Sequence, residues 1–253
     1  MWYWTKILFL ILIGAVIVWL GFEFLTFPNI SKLRTENPTT TSLIEYRILE
    51  AVENGTEPRK YMIWMPINQI SPNLARAVLA GEDANFFTHH GFDWNAINKA
   101  WEEAKREGEK EAKQEGDFNE NDWIPPMPSF KRGASTVTQQ LAKNLYLSEE
   151  RSFFRKGREA LITYFLERDL NKKRIMELYL NVIEWGDGVY GAEAASRYYF
   201  KKSASNLTAD EAAYLSAMIP SPLNVFNPKK NPKRVKRRQR VITKGMRYIK
   251  LAY

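Results

Sequence analysis

The chain has 253 residues, of which 45% are hydrophobic and 13% aromatic, which is enough to fill a core and excludes a disordered tail. The absence of cysteine and the presence of only two histidines exclude disulfide scaffolds, thiolate zinc sites and cysteine nucleophiles, and leave little for a histidine metal site. The net charge of +8 resides at the C-terminal end, since residues 212–253 hold eleven Lys or Arg and no acidic residue, and it favours an anionic partner.

An apolar segment opens the chain. Ile7 to Phe22 is a run of sixteen uncharged, mostly apolar residues, and Phe24 and Leu25 extend it to about the 20 residues that cross a bilayer. We predict an uncleaved membrane anchor over residues 1–27, with Lys6 in the cytoplasm and the remainder outside. The alternatives are a cleaved signal peptide, although no small-residue cleavage site follows the run, and a core helix.

The body of the chain is predicted to be mainly α. Residues 28–42, rich in Asn, Thr, Ser and Pro, are predicted to be a juxtamembrane linker, and residues 43–253 a single domain. Ser71-Pro72 opens a helix, and Arg59 to Met65 alternates as a short strand does. Helical apolar spacing is found at Leu43–Val52, Leu161–Leu170, Lys173–Val182, Ala192–Tyr199 and Ala209–Met218.

The first candidate segment for chemistry contains Glu82, Asp83, Phe86 and His89. If Glu82 lies on a helix that continues to His89, the positions i, i+4 and i+7 fall on one face. An aromatic surface raises the pKa of a carboxyl, which suits a general acid or base near neutral pH. Acidic residues followed by aromatic ones are also common at ordinary helix ends, and this segment alone does not decide between the two.

A highly charged stretch separates the first candidate from the second. Residues 102–117 contain eleven charged residues in sixteen and almost no apolar stripe. We predict a mobile surface insertion over about 102–128, partly helical.

The second candidate segment lies around Ser135. Thr136 and Gln139 fit a capping box, and Val137, Leu141 and Leu145 form an inward row. The remaining polar side chains and the amides of the helix start would bind an anionic, hydroxyl-rich ligand. The alternative is an ordinary capped amphipathic helix. The candidate ligand-binding residues are Ser135, Thr136, Gln139, Gln140, Lys143 and Asn144.

The third candidate segment contains Arg155, Lys156 and Glu159. On a helix, both cations border one carboxylate and make a mixed-charge face suited to phosphate. Surface ion pairs give the same pattern.

The C-terminal segment begins with a break at Pro228 and continues as a basic helix, with Val235, Val241, Ile242 and Met246 available for packing. Its basic face is compatible with a nucleic-acid arm, with attraction to anionic lipid, or with simple solvation.

Four motifs in order resemble the peptidoglycan glycosyltransferases of glycosyltransferase family 51. The family pattern Glu-Asp-x-x-Phe-x-x-His-x-Gly-x-Asp is matched from Glu82 to Asp93, and Gly-x-Ser-Thr-x-Thr-Gln-Gln-Leu-x-Lys-Asn from Gly133 to Asn144. Arg-Lys-x-x-Glu is matched at Arg155 to Glu159, and Glu-x-Tyr-Leu-Asn at Glu177 to Asn181. The stretch Glu184 to Gly191 is similar to the monofunctional branch, and neither Ser-x-x-Lys nor Lys-Thr-Gly, the transpeptidase motifs, is present.

The resemblance implies a lysozyme-like helical glycosyltransferase domain behind one N-terminal transmembrane helix. It implies polymerisation of lipid II into β-1,4-linked glycan at the outer face of the cytoplasmic membrane, with release of undecaprenyl pyrophosphate and without transpeptidation. The implied partners are lipid II, the growing glycan chain and membrane lipids, with wall-synthesis proteins as further candidates. No nucleic-acid partner is expected.

By the same resemblance, Glu82 is the general base and Glu159 the second carboxylate, with Glu184 a weaker alternative. Lys143, Arg155 and Lys156 would hold the donor pyrophosphate, and the other candidate residues would position substrate oxygens. Asp83, Phe86 and His89 would support the site. A divalent cation, Mg²⁺ or Mn²⁺, is expected beside the pyrophosphate, with Glu159 a candidate ligand, and no organic cofactor is expected.

Three rival functions remain from the sequence, the third of which is a nucleic-acid binder that uses the basic C-terminal segment. A lytic transglycosylase needs one acid in a cleft but no cationic clamp for pyrophosphate, so Lys143, Arg155 and Lys156 favour synthesis over cleavage. A non-catalytic anchored scaffold would have no need of Glu82 and Glu159.

Overall fold

The computed structural model describes residues 2–115, 128, 134–148 and 152–253. Its helices are α1 Trp2–Leu25, α2 Ser42–Glu53, α3 Pro72–Glu82, α4 Trp94–Glu115, α5 Val137–Tyr146, α6 Phe153–Asp169, α7 Lys172–Val182, α8 Ala192–Phe200, α9 Ala209–Met218 and α10 Pro232–Met246. Short 3-10 helices lie at Ile30–Arg34, Ile67–Gln69 and Ala204–Asn206. The strands are β1 Tyr61–Met62, β2 Glu184–Gly186 and β3 Val189–Tyr190. The prediction of a mainly helical protein is confirmed.

Two groups of helices make the core. Helix α3 packs against α9 and α10, and α5 packs against α2, α6 and α7. Leu74, Leu141 and Ile175, one from each of α3, α5 and α7, are fully buried in the same apolar cluster. The predicted inward row of α5 is confirmed, since Val137, Leu141 and Leu145 are at most 5% exposed.

A small three-stranded sheet packs against α8, with strand order β1-β3-β2. Strand β1 is parallel to β3, with Tyr61 opposite Val189, and β2 is antiparallel to β3, with Glu184 opposite Tyr190. The sequence alternation around residues 59–65 therefore corresponds to a real but very short strand.

The N-terminal region contains one long helix followed by a segment that is partly buried. Residues Trp2–Leu25 form a single helix. Among the residues that the structure describes, no helix combines the length and apolar character needed to cross a bilayer. The predicted linker is not purely a spacer, because Ile30 and Leu33 are buried in the core of the domain.

The charged stretch is helical as far as the structure describes it. Its first part belongs to α4, whose start is fixed by Asp93, since the Asp93 carboxylate accepts a hydrogen bond from the backbone of Ala96 at 2.9 Å. Residues 116–127 of the predicted insertion lie outside the described residues.

The predicted C-terminal helix is α10. Val235, Ile242 and Met246 are buried as expected, whereas Val241 is 67% exposed and does not pack. On a helix with 3.6 residues per turn, Val241 lies about 100° from Ile242, and only the Ile242 side faces α3 and α9.

Candidate active site

Glu82 is the last residue of α3. The helix ends there because Asp83 adopts an extended backbone, with φ −160° and ψ 76°. The prediction that Glu82, Phe86 and His89 share one helical face is therefore wrong. Phe86 instead lies in the core, fully buried, with the Lys172 ammonium 4.3 Å from its ring centroid.

Asp83 connects the end of α3 to the start of α5. Its carboxylate accepts the backbone N–H of Val137 at 2.9 Å and lies 2.9 Å from Nε2 of His89. The free amides and positive dipole end of α5 favour a carboxylate at this position. These contacts of Asp83 hold the turn that follows Glu82 against α5. This fits the supporting role expected of Asp83 and His89.

The capping box of α5 is present as predicted. Thr136 accepts the backbone N–H of Gln139 at 3.2 Å, and the Gln139 side chain accepts the N–H of Thr136 at 3.0 Å. The Thr136 hydroxyl also donates to the carbonyl of Gly91 at 2.6 Å. Thr136 and Gln139 are buried and engaged within the protein. Thr136 and Gln139 therefore stabilise the start of α5 and are not among the described residues that line the cleft beside Glu82.

A cleft of about 1090 Å³ opens beside Glu82. The predicted residues in its wall are Glu82, Ser135, Gln140, Lys143 and Asn144, together with Glu184. Helices α3, α5 and α10 and the loop from Pro220 to Phe226 supply most of the described lining. These residues give the cleft two carboxylates, a hydroxyl, two amides and an ammonium, a set suited to an oxygen-rich ligand that carries an anionic group.

Glu82 is held by two side chains from distant parts of the chain. Gln140 donates to Oε2 of Glu82 at 2.9 Å, and Arg238 donates to Oε1 at 2.6 Å. The Gln140 carbonyl oxygen in turn accepts the hydroxyl of Tyr179 at 2.7 Å. Burial raises the pKa of Glu82 above its ordinary value, and Arg238 and Gln140 oppose this rise. This is the environment of a carboxyl that titrates nearer to neutral pH than an exposed one.

Sequence reasoning missed Arg238. Its place in a basic segment assigns it to the solvated face of the C-terminal helix, yet its guanidinium forms an ion pair with Glu82. The sequence feature that could have identified Arg238 is its spacing from the apolar residues of the same helix. Arg238 follows Val235 by three residues and precedes Ile242 by four, so it shares the inward face with two buried residues.

Glu159 lies in a second cluster, at the start of α6. Its side chain is 4% exposed, and its two carboxylate oxygens bind Arg155, at 3.0 Å, and Lys156. The predicted grouping of Arg155, Lys156 and Glu159 is therefore present. None of the three is among the described residues that line the cleft beside Glu82.

Gly91 connects α6, the helix that carries the second cluster, to the Glu82 segment. Its φ of +86° is a left-handed conformation, and a Cβ there would lie 2.7 Å from Cγ2 of Thr163 on α6. Thr163 donates to the carbonyl of Glu159 at 2.7 Å. Since Gly91 also accepts from Thr136, this glycine brings the first two candidate segments together with α6, the helix that carries the third.

The alternative second carboxylate, Glu184, has a different partner. Arg47 binds its two oxygens at 3.0 and 3.2 Å, and the Glu184 side chain is 7% exposed. This bidentate pair contributes to the cleft wall.

The carboxylates do not form a metal cage within the described part of the chain, where no group of three acidic or histidine side chains is placed to hold a cation. Glu159, the candidate ligand, is already bound by two cations. These residues do not fit a metal held by the protein alone.

Comparison with known proteins places this geometry in context. Residues 49–116 and 127–247 match the protein family described as Transglycosylase. The chain is 40% identical to the biosynthetic peptidoglycan transglycosylase of Chromobacterium violaceum, over 98% of this chain and 99% of the relative. It is 42% identical to that of Paraburkholderia xenovorans, over 92% and 90%, and 36% identical to that of Bordetella pertussis, over 98% and 96%.

Proposed function

The chain belongs to the transglycosylase family, and from this premise we propose that it is a peptidoglycan glycosyltransferase that polymerises lipid II, with Glu82 as its general base. The observation that carries the proposal is the Glu82 carboxylate, whose side chain is only 9% exposed, in a cleft that also presents Lys143 and side-chain amides. Peptidoglycan synthesis places the protein in the cell envelope. The proposed activity is glycan polymerisation without transpeptidation, in line with the names of relatives that the chain covers almost end to end.

In the proposed reaction the 4-hydroxyl of an incoming lipid II attacks the anomeric carbon of the growing glycan. A new β-1,4 bond forms, the bond from that carbon to the pyrophosphate oxygen breaks, and undecaprenyl pyrophosphate leaves with the electron pair. Glu82 accepts the hydroxyl proton. Its raised pKa suits this task because a base works best when its pKa is close to the working pH.

Cationic groups would stabilise the negative charge of the departing pyrophosphate. Lys143 lines the cleft and is the first candidate. Arg155 and Lys156 stand in the second cluster, on the helix that packs against α5. We assign Glu159 the role of holding these two cations, because both of its oxygens are bound to them. Ser135, Gln140 and Asn144 would position sugar and phosphate oxygens.

The proposed cation, Mg²⁺ or Mn²⁺, would arrive with the pyrophosphate. Mg²⁺ is commonly bound through substrate phosphates with few protein ligands. The proposed chemistry needs no organic cofactor, since it transfers a glycosyl group and one proton.

We propose a single-pass anchor in the cytoplasmic membrane, formed by residues 1–27, with the domain on the outer side. The support is the uncharged run from Ile7 to Phe22 and the exposed Trp2 and Trp4 beside Lys6. Such an anchor would confine the enzyme to the surface that carries its lipid-linked substrate. Membrane lipids would then be its constant partners, and wall-synthesis proteins further candidates.

The topology is open to a direct test because the chain contains no cysteine. A membrane-impermeant maleimide applied to intact spheroplasts should label Glu57→Cys and spare Thr5→Cys. Labelling of both positions, or release of the protein by an alkaline wash, would contradict the anchor.

The decisive test of function is polymerisation of purified lipid II. The wild-type protein should make glycan strands, and Glu82→Gln should lower the rate by about 10²–10⁴-fold, the usual contribution of a general base. Glu57→Gln, at an exposed position, serves as the matched control. Shortening of preformed glycan without polymerisation would identify a lytic enzyme instead. If the protein showed neither polymerisation nor cleavage, the scaffold would be the remaining alternative.

A further inference from the structure

The geometry points to Arg238 as a positioning residue for the reaction: by its ion pair with Glu82 it fixes the orientation of the base and keeps it ionised. This inference rests on the proposed function of Glu82. It concerns a residue on α10 that lies outside all four sequence motifs. Arg238 acts through Glu82 and is not assigned contact with substrate.

The first support is the contact itself. One terminal nitrogen of Arg238 donates to Oε1 of Glu82 at 2.6 Å and to the backbone carbonyl of Gly81 at 3.0 Å. The last carbonyls of a helix have no partner within the helix and carry its negative dipole end, so a cation is favoured there. Arg238 therefore binds both the end of α3 and the carboxylate that the end of α3 presents.

The second support is the rigidity of the helix pair. A Cβ at Gly81 would lie 2.9 Å from Oγ of Ser216 on α9 and 3.1 Å from Cδ1 of Ile242 on α10. On the other side, a Cβ at Gly245 would lie 3.3 Å from Cβ of Ala80. These close approaches leave α10 little freedom to slide along α3, and they place Arg238 beside Glu82 by packing of the backbone.

The third support is the placement of the guanidinium on an aromatic ring. The Cζ of Arg238 lies 5.4 Å from the centroid of Phe226, within the range of a cation–π contact. The Arg238 side chain is 27% exposed and that of Glu82 9% exposed. The pair is thus mostly shielded from water at the wall of the cleft, where both residues lie.

The charges around Glu82 determine what loss of Arg238 should do. Asp83 on the adjoining turn raises the pKa of Glu82, as burial does, whereas Arg238 lowers it. Tyr179 on α7 and Lys143 on α5 also line the cleft, as does the Arg47–Glu184 pair further along it. Removal of Arg238 leaves burial and Asp83 with less opposition, so the Glu82 pKa rises further and the ionised base exists only at higher pH.

The experiment is the pH profile of kcat/KM for lipid II polymerisation by the full chain. Arg238→Gln should move the acidic limb to higher pH by about 1–3 pH units, the usual effect of an opposite charge at this distance. The rate below the limb should fall about tenfold for each pH unit and recover at alkaline pH. Arg238→Lys should restore the limb in part. Arg237→Gln, an exposed neighbour on the same helix, should leave the profile unchanged.

The other outcomes would overturn the inference. A raised KM with an unmoved limb would mean that Arg238 binds substrate directly, and an equal loss at every pH would mean that it only supports the fold. If the wild-type protein fails to polymerise lipid II, the proposed function fails by itself. The ion pair can still be tested by ¹³C NMR titration of labelled glutamate. The Glu82 signal should titrate at higher pH in Arg238→Gln than in the wild type, and at the wild-type pH in Arg237→Gln.

Discussion

Gln140 donates its side-chain amide to the carboxylate of Glu82 at 2.9 Å. The same side chain accepts the hydroxyl of Tyr179, which is fully buried and whose pKa burial raises well above its ordinary value. The amide therefore connects a neutral phenol in the core to the charged end of α3. Its orientation is fixed because its oxygen can only accept and its nitrogen can only donate.

Gln140→Leu should reduce both activity and stability. Glu82 loses a donor that favours its ionised form, and the Tyr179 hydroxyl loses its acceptor in the core. An unsatisfied buried hydroxyl costs about 1–3 kcal/mol, and urea unfolding measures that loss. Gln69→Leu, at an exposed position on the 3-10 helix Ile67–Gln69, is the control and should change little. Wild-type stability in Gln140→Leu would contradict the hydrogen-bonded arrangement.

Gly91→Ala should disrupt the contact of the first two candidate segments with α6. The new methyl group would enter a left-handed backbone and lie 2.7 Å from Thr163, so α6 or the Glu82 segment must move. A non-glycine residue in such a conformation costs on the order of 1–3 kcal/mol before any clash is counted.

Gly55→Ala is the control that separates backbone strain from steric clash. Gly55 has φ +66°, yet a methyl group at this position would have no atom within 4 Å of it. Both variants should lose stability on urea unfolding, and only Gly91→Ala should also lose polymerisation. Equal activity in the two variants would mean that contact between α6 and the Gly91 turn does not matter to the site.

Thr136→Ala removes two interactions of one hydroxyl, the N-cap of α5 and the hydrogen bond to Gly91. Loss of an N-cap costs about 0.5–2 kcal/mol, and α9 carries a second capping box, at Thr208 and Glu211. Thr208→Ala should therefore lose similar stability and keep its activity, whereas Thr136→Ala should lose both because its hydroxyl also holds Gly91. Thermal unfolding and polymerisation assays on the two variants make the comparison.

Local features of the fold were predictable, because they depend on neighbours in sequence. The box of Thr136 and Gln139 and the bounds of α9 follow from spacing of about three or four residues. The end of α3 did not follow, because Asp83 leaves the helix to bind Val137, 54 residues away. The pairing of Glu82 with Arg238 spans 156 residues, and only the packing of α10 on α3 reveals it.

Glu82→Gln should make the protein relatively more stable as the pH rises. Burial raises the pKa of Glu82 above the ordinary 4.5, so the folded state binds this proton more tightly than the unfolded state. The resulting stabilisation is fully present below the ordinary pKa and is lost as the pH rises through the folded pKa. Glutamine does not titrate, so the variant escapes this loss, which amounts to about 1.4 kcal/mol for each pH unit that separates the folded pKa from the unfolded pKa.

The measurement is the free energy of unfolding in urea at pH 4.5 and pH 8 for the wild type and Glu82→Gln. The difference, variant minus wild type, should increase between the two pH values. Loss of the Arg238 ion pair alters the absolute stability of the variant, but that arginine stays charged throughout and does not create a trend with pH. Glu57→Gln, at an exposed site, should show a flat difference. A decrease for Glu82→Gln would mean that its cationic and amide partners outweigh its burial, and that the base is held ionised at the expense of its basicity.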